Sequence, residues 1–144
     1  DLVILEDEFK SISDRFYMLT DDGSYGEKGN VCLPLNRLLE GGERFDAVIT
    51  IGPLVMMKFV AAATRPYGVR TIASMNPIMI DGTGMCGCCR VTVGGEMKFA
   101  CVDGPDFDAH LIDFDEAMKR SRTYAEFEAA AREKHCNLFR KEVN

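Results

Sequence analysis

The chain has 144 residues, a formal net charge of −6 and 47% hydrophobic residues. This length suits one domain, or one domain with a small appendage, and the apolar content is ample for a core. The acidic balance argues against nucleic-acid binding, which needs a basic surface, and no stretch is long and apolar enough to predict a membrane span. Four of the six cysteines are clustered, which favours a metal site in a reducing, cytoplasmic environment over a dispersed disulfide framework.

Apolar runs alternate with helix signals in the first part of the chain. The runs predict four strands, at Leu2–Leu5, Phe16–Thr20, Ala47–Ile51 and Val69–Met75. Three helices are predicted between them, at Asp7–Asp14, Pro34–Glu40 and Pro53–Thr64. Alternation of strands and helices is typical of an α/β fold with a parallel sheet and flanking helices.

Two loops follow predicted strands, where parallel sheets bind ligands. Asp21 and Asp22 follow the second strand, and Gly52-Pro53 follows the third. Each loop also has an ordinary structural interpretation, as turn chemistry for the aspartates and as a helix start for Gly52-Pro53. No Gly-x-Gly-x-x-Gly follows any predicted strand. We therefore expect a nucleotide-binding fold that lacks its first strand and its phosphate loop.

The next segment has the spacing of plant-type iron–sulfur ligands, with four residues between the first two positions, two before the third and a distant fourth. Aspartate stands at the first position, where cysteine is usual. The spacing predicts a [2Fe–2S] cluster with four ligands, Asp81, Cys86, Cys89 and Cys101.

A predicted hairpin brings the fourth ligand to the others. Residues 90–93 alternate polar and apolar, Gly94-Gly95 offers a two-residue turn, and residues 96–100 return. Counting back from the turn places Cys89 opposite Ala100 and Cys88 opposite Cys101. Cys88 is therefore an alternative fourth ligand to Asp81. We favour Asp81, because neighbouring strand residues point to opposite faces and Cys88 and Cys89 do not easily serve one core.

Other interpretations of these cysteines remain open. Zinc also binds Cys-x-x-Cys with further Cys or Asp ligands.

Beyond the hairpin, two helices are predicted, at Asp113–Ser121 and from Thr123 to about Arg140. The second has Phe127, Ala131 and Leu138 on one buried face. Cys32, Cys136 and His110 are expected to be structural.

Several of these motifs together carry a family resemblance. They are DDGSYG from Asp21, GPLVMM from Gly52, SMNPIM from Ser74, DGTGMCGCCRV from Asp81 and CVDGPDF from Cys101. The chain resembles the small (alpha) subunit of NADH-dependent ferredoxin:NADP oxidoreductase, a family that overlaps with sulfide dehydrogenase beta subunits. It is also similar to the electron-transfer subunit of dihydroorotate dehydrogenase.

The resemblance implies a ferredoxin-reductase-like protein with an N-terminal FAD-binding barrel, a nucleotide-binding α/β domain and a small C-terminal [2Fe–2S] module. Residues 1–79 would be the nucleotide domain without its opening, and residues 80–144 the cluster module with its hairpin and terminal helices. The chain is thus expected to be a C-terminal fragment that is inactive alone. Asp81 is typical of the ferredoxin:NADP oxidoreductase branch, whereas Cys88 departs from both branches.

By resemblance, the subunit transfers electrons between a flavin of a larger flavin/iron–sulfur catalytic subunit, the cluster, its own FAD and NAD(H). Gly52, Pro53 and Met56 would line the nicotinamide side, and Asp21 or Asp22 would accept a hydrogen bond from the adenosine ribose. Ferredoxin or another redox protein is the expected partner. Two alternatives are an electron-transfer subunit of dihydroorotate dehydrogenase and a non-enzymatic, zinc-stabilised interaction module.

Overall fold

The computed structural model describes residues 3–135. The chain forms two compact units, Asp1–Phe45 and Asp46–Asn144. The elements of the first unit are helix α1 (Glu6–Ile12), strands β1 (Leu19–Thr20) and β2 (Glu27–Lys28), and helix α2 (Cys32–Glu40). The two short strands pair in parallel. Helix α2 ends at Glu40 with Gly41 as its C-cap, as the glycine signal predicts, but it begins at Cys32, two residues before the predicted start at Pro34.

The predicted strand Leu2–Leu5 is wrong for the described residues 3–5, which form no strand. Leu5 instead adopts a left-handed conformation with φ of 58° directly before α1. The side chains of Val3, Ile4 and Leu5 are exposed. An apolar run becomes a strand only where a neighbouring strand accepts its hydrogen bonds and a core covers its face, and residues 3–5 have neither within the first unit.

The second unit has more elements than the first and one continuous core. Its elements are strands β3 (Val48–Ile51), β4 (Thr71–Ser74), β5 (Arg90–Val93), β6 (Glu96–Phe99) and β7 (Asp106–Asp108), helices α3 (Leu54–Thr64), α4 (Phe114–Ser121) and α5 (Ala125–His135), and a 3₁₀ helix (Arg65–Tyr67). Strands β3 and β4 pair in parallel, as predicted, but β7 joins β4 antiparallel. The unit is therefore mixed α/β, with an edge strand that the sequence pattern did not predict.

The core of the second unit joins helix, sheet and hairpin. Its buried members are Met57, Ala61, Ala73, Met75, Val91, Ala109, Ile112 and Phe114. Burial of this contiguous apolar surface is the main favourable contribution to folding in the unit. The core contains residues from both sides of the predicted boundary between 79 and 80, and that boundary stays a prediction.

The β5–β6 hairpin has the predicted register. Val93 pairs with Glu96 across Gly94-Gly95, and both glycines have positive φ, 61° and 81°. A two-residue turn of this kind needs positive φ at both positions, which glycine adopts without strain. The N–H of Ala100 donates to the carbonyl of Cys89 at 3.1 Å, so Cys89 does lie opposite Ala100.

The C-terminal helices differ in burial. Helix α4 is capped by Asp113, whose side chain accepts from the N–H of Glu116 at 2.9 Å, and Phe114 is buried. The buried face predicted for α5 is wrong for Phe127, which is 75% exposed, and for Ala131, which is also exposed. Leu138, Arg140 and Cys136 lie outside the described residues. None of the described helices is long and apolar enough to cross a membrane.

Candidate metal centre

Asp81 opens a tight loop that ends at the first cysteine. Its carboxylate accepts hydrogen bonds from the N–H of Thr83 and the N–H of Cys86, each at 2.9 Å. The bond from Thr83 is the largest cause that lowers the pKa of Asp81. Burial opposes it, and the bond from Cys86 lowers the pKa further. An ionised carboxylate thus lies beside the backbone of Cys86.

Cys89 and Cys101 form a thiol pair. Their Sγ atoms are 3.2 Å apart, and the side chain of Cys89 is only 2% exposed. The hydrogen bond with Cys89 is the main cause that raises the pKa of Cys101, while the N–H of Gly84 opposes the rise. Two thiolates on one tetrahedral metal with bonds of about 2.3 Å lie about 3.8 Å apart. A small outward movement would therefore let both sulfurs bind one metal.

Cys86 is exposed, and its backbone surroundings lower its pKa. The backbone N–H groups of Cys88 and Asp81 lower the pKa of Cys86. The pKa of Cys88 is raised instead. Its hydrogen bond with Cys86 is the largest cause, followed by burial and by the negative charges of Cys86 and Asp81. The surroundings of Cys86 and Cys88 thus shift their pKa values in opposite directions.

The sulfurs of Cys89 and Cys101 form one donor pair. The Asp81 carboxylate accepts from the backbone N–H of Cys86, which places these two residues beside each other in the loop. A [2Fe–2S] core has two irons that each take two protein ligands, so a close thiol pair fits one of them. Within residues 3–135, no group of three or more His, Cys, Asp and Glu side chains is arranged to hold a single metal ion.

The two predicted groups of nucleotide-binding residues lie in different units. In the first unit, Asp22 accepts from the N–H of Ser24 at 2.9 Å, a bond that lowers the pKa of Asp22, while Asp21 is exposed. This is ordinary turn geometry. A joint role of the two groups in nucleotide binding stays a prediction.

The second group lies between β3 and α3. Gly52 has φ of 149°, and a Cβ added there would be 2.7 Å from Cε of Met56. The side chain of Asn76 donates to the carbonyl of Gly52 at 3.3 Å, and Pro53 directly precedes α3. The loop is therefore fitted closely to the first turn of the helix.

Sequence reasoning missed two arginines beside the cysteines. Arg90 and Arg120 both line a cavity that Cys86 and Cys88 also line. The only sequence signal for Arg90 is that it follows Cys89 directly, and nothing in the local pattern indicates Arg120.

His110 has the expected structural role, since its Nε2 lies 3.0 Å from the hydroxyl of the buried Thr64. Cys32 is half-buried in α2.

Comparison with known proteins agrees with this site. Residues 76–113 match a family described as the iron–sulfur cluster binding domain of dihydroorotate dehydrogenase B. A Thermotoga maritima protein named as a homologue of the electron transfer subunit of dihydroorotate dehydrogenase B (NAD⁺) is 49% identical over 134 residues, covering 93% of this chain and 47% of that protein. An uncharacterised protein of the adh 3′ region of Clostridium beijerinckii is 51% identical over 132 residues, covering 91% and 45%.

A solved structure gives the same relationship. A chain of the NADH-dependent reduced ferredoxin-NADP oxidoreductase matches with a TM-score of 0.78 and 47% identity, covering 91% of this chain and 47% of that chain. The family resemblance predicted from the sequence is confirmed, and the Thermotoga maritima relative and the solved structure carry oxidoreductase names. The chain spans less than half the length of these relatives.

Proposed function

We propose that this chain is the cluster-binding portion of an oxidoreductase electron-transfer subunit of the ferredoxin-NADP oxidoreductase type. Asp81, Cys86, Cys89 and Cys101 would hold a [2Fe–2S] cluster, which supplies one-electron transfer when bound. The longer subunit would bind FAD and NAD(H) and would assemble with a larger flavin and iron–sulfur subunit in the cytoplasm. Ferredoxin or a similar redox protein would exchange electrons with that complex.

One observation carries the proposal: two of the predicted ligand sulfurs, those of Cys89 and Cys101, lie side by side, as two ligands of one iron must. The Sγ atoms of Cys89 and Cys101 are 3.2 Å apart, near the separation of two thiolates on one metal. The hairpin register produces this separation, and the two N–H bonds to Asp81 orient the carboxylate at the other end. A single zinc would need four donors to converge on one point, and within residues 3–135 no group of three or more His, Cys, Asp and Glu side chains is so arranged.

The first experiment is a metal analysis of anaerobically prepared protein. We expect visible absorption, about two iron atoms and about two acid-labile sulfides per chain, and an EPR signal after reduction. Cys101→Ser should remove most of the iron, whereas the matched variant Cys32→Ser should retain it, because Cys32 lies in α2 of the other unit. Zinc without colour in anaerobic protein would contradict the proposal.

A second set of variants separates the two candidates for the fourth ligand. Asp81→Ala should lose iron or change the EPR spectrum, because it removes a ligand oxygen. Cys88→Ala should leave both unchanged, because neighbouring residues of an extended segment point to opposite faces and Cys88 does not easily bind the core that Cys89 binds. The opposite pattern would assign the fourth position to Cys88.

The alternative partner is a dihydroorotate dehydrogenase catalytic subunit. The family match at residues 76–113 and the name of the Thermotoga relative favour it, whereas the solved structure favours the ferredoxin-NADP oxidoreductase type. Purification of the native complex and assay of its NADH oxidation with ferredoxin plus NADP, and with orotate, would decide between them.

A further inference from the structure

A cavity in the second unit lies beside the cysteine turn, and its volume is about 440 Å³. Residues from the cysteine turn, β5 and α4 line it, including Cys86, Cys88, Arg90, Val91, Ala117 and Arg120. Two guanidinium groups thus share one cavity with two of the clustered cysteines. Neither arginine forms an ion pair with another residue of the described part of the chain.

Arg120 reaches the cysteine turn from helix α4. Its Nη2 lies 3.4 Å from the carbonyl oxygen of Cys88, a long hydrogen bond that places the charge beside the turn. The helix itself is fixed, because Phe114 at its start is 5% exposed and Asp113 caps it. Helix α4 therefore positions Arg120, and the side chain of Arg120 links this helix to the backbone between Cys86 and Cys89.

Arg90 approaches the same turn from the hairpin. A Cβ added at Gly87 would lie 3.9 Å from Cδ and 4.0 Å from Nε of Arg90, so its side chain runs along the turn. Arg90 also lines the same cavity as Cys86 and Cys88. The cysteine turn thus lies within the field of this guanidinium.

We propose that Arg90 and Arg120 are positioning residues that hold the cysteine turn and favour the reduced form of the cluster. This inference rests on the proposed function. One-electron reduction makes the cluster and its ligands more negative by one charge. A nearby positive charge stabilises the more negative form, and cluster potentials depend on net charge and hydrogen bonding around the sulfurs. The two arginines would therefore raise the reduction potential.

The test is an EPR-monitored redox titration of the anaerobic protein with dithionite and mediators. We expect Arg90→Gln and Arg120→Gln each to lower the potential. The double variant should weaken reduction about ten-fold, which is about 59 mV for a one-electron couple. Arg90→Lys and Arg120→Lys should restore most of the potential. Arg120→Gln should also lose iron faster to a chelator, because it releases the Cys88 carbonyl from α4.

Arg122→Gln is the matched control, because it removes the same charge two residues from Arg120, from a side chain that does not line the cavity. A double variant with the same potential and iron-loss rate as Arg122→Gln would overturn the inference. If Arg120→Gln loses its cluster completely while Arg122→Gln keeps it, the positioning role is supported and Arg90→Gln still measures the charge effect. Wild-type protein without iron would refute the proposed function instead.

Discussion

The two units are stabilised by different means. In the first unit, only Pro34 and Leu39 are buried among the described residues, and ion pairs such as Arg15–Glu43 and Arg37–Glu27 lie on its surface. The second unit has a contiguous apolar core. Apolar burial contributes far more than exposed ion pairs, which are worth about 0–1 kcal/mol each. The candidate metal centre therefore lies in the unit whose backbone is the better fixed.

The largest effect on stability is expected at Met57, which is 0% exposed in the core of the second unit. Met57→Ala should lower the free energy of unfolding by about 2–5 kcal/mol, because it leaves a cavity. In the first unit, Ile12 is 80% exposed, and Ile12→Ala should change stability by less than about 0.5 kcal/mol. Denaturant unfolding measures both, and equal effects would show that the contrast between the units is wrong.

Two buried threonines of the second unit, Thr64 and Thr50, differ in the hydrogen bonding of their hydroxyl groups. The hydroxyl of Thr64 accepts from Thr71 at 2.6 Å and lies 3.0 Å from Nε2 of His110. The buried hydroxyl of Thr50, in contrast, has no hydrogen-bond partner among residues 3–135. Thr64→Val should destabilise by about 1–3 kcal/mol, because it removes a partner from buried polar groups.

Thr50→Val is the matched control for that prediction. It removes a buried hydroxyl that makes no hydrogen bond, so its thermal unfolding should be unchanged or occur at a higher temperature. If Thr64→Val and Thr50→Val were destabilised equally, loss of the Thr64 hydrogen bonds would not be the cause of the destabilisation.

The smallest effect is expected at the surface of the first unit. Hydrogen bonding and charge from Arg15 lower the pKa of Glu43. The pair therefore contributes stability above the ordinary pKa of glutamate, and the contribution is lost as pH falls through the lowered pKa. NMR titration should show the pKa of Glu43 rise in Arg15→Gln. It should stay unchanged in Arg44→Gln, since Arg44 forms no ion pair among the described residues. A Glu43 that titrates alike in all three proteins would contradict this.

The hairpin was the most predictable part of the fold. Its alternating residues and Gly94-Gly95 determine pairing locally, so the register could be counted without any knowledge of the rest of the chain. The helix Pro34–Glu40 was similarly marked by proline and glycine, and the structure extends it by two residues to Cys32.

Elements that depend on distant contacts were not predictable. Strand β7 is Asp-Phe-Asp, without β-branched residues, and forms because β4 offers an unpaired edge. Residues 3–5 are apolar but lack a partner strand. At the site, ligand spacing was readable from the sequence, whereas Arg120 reaches the cysteine turn only through the packing of α4. Contacts between residues 32 positions apart leave no local pattern.

The hairpin also has a consequence for the order of assembly. Cys89 and Cys101 are joined by twelve steps of chain through one tight turn, and hairpins of this kind close in about 1–10 μs. The two sulfurs therefore meet early in folding, before slower steps such as metal delivery. Thiols this close are also ready to oxidise to a disulfide, which would leave neither sulfur for iron. Protein synthesised without iron should consequently be kept reduced until its metal arrives.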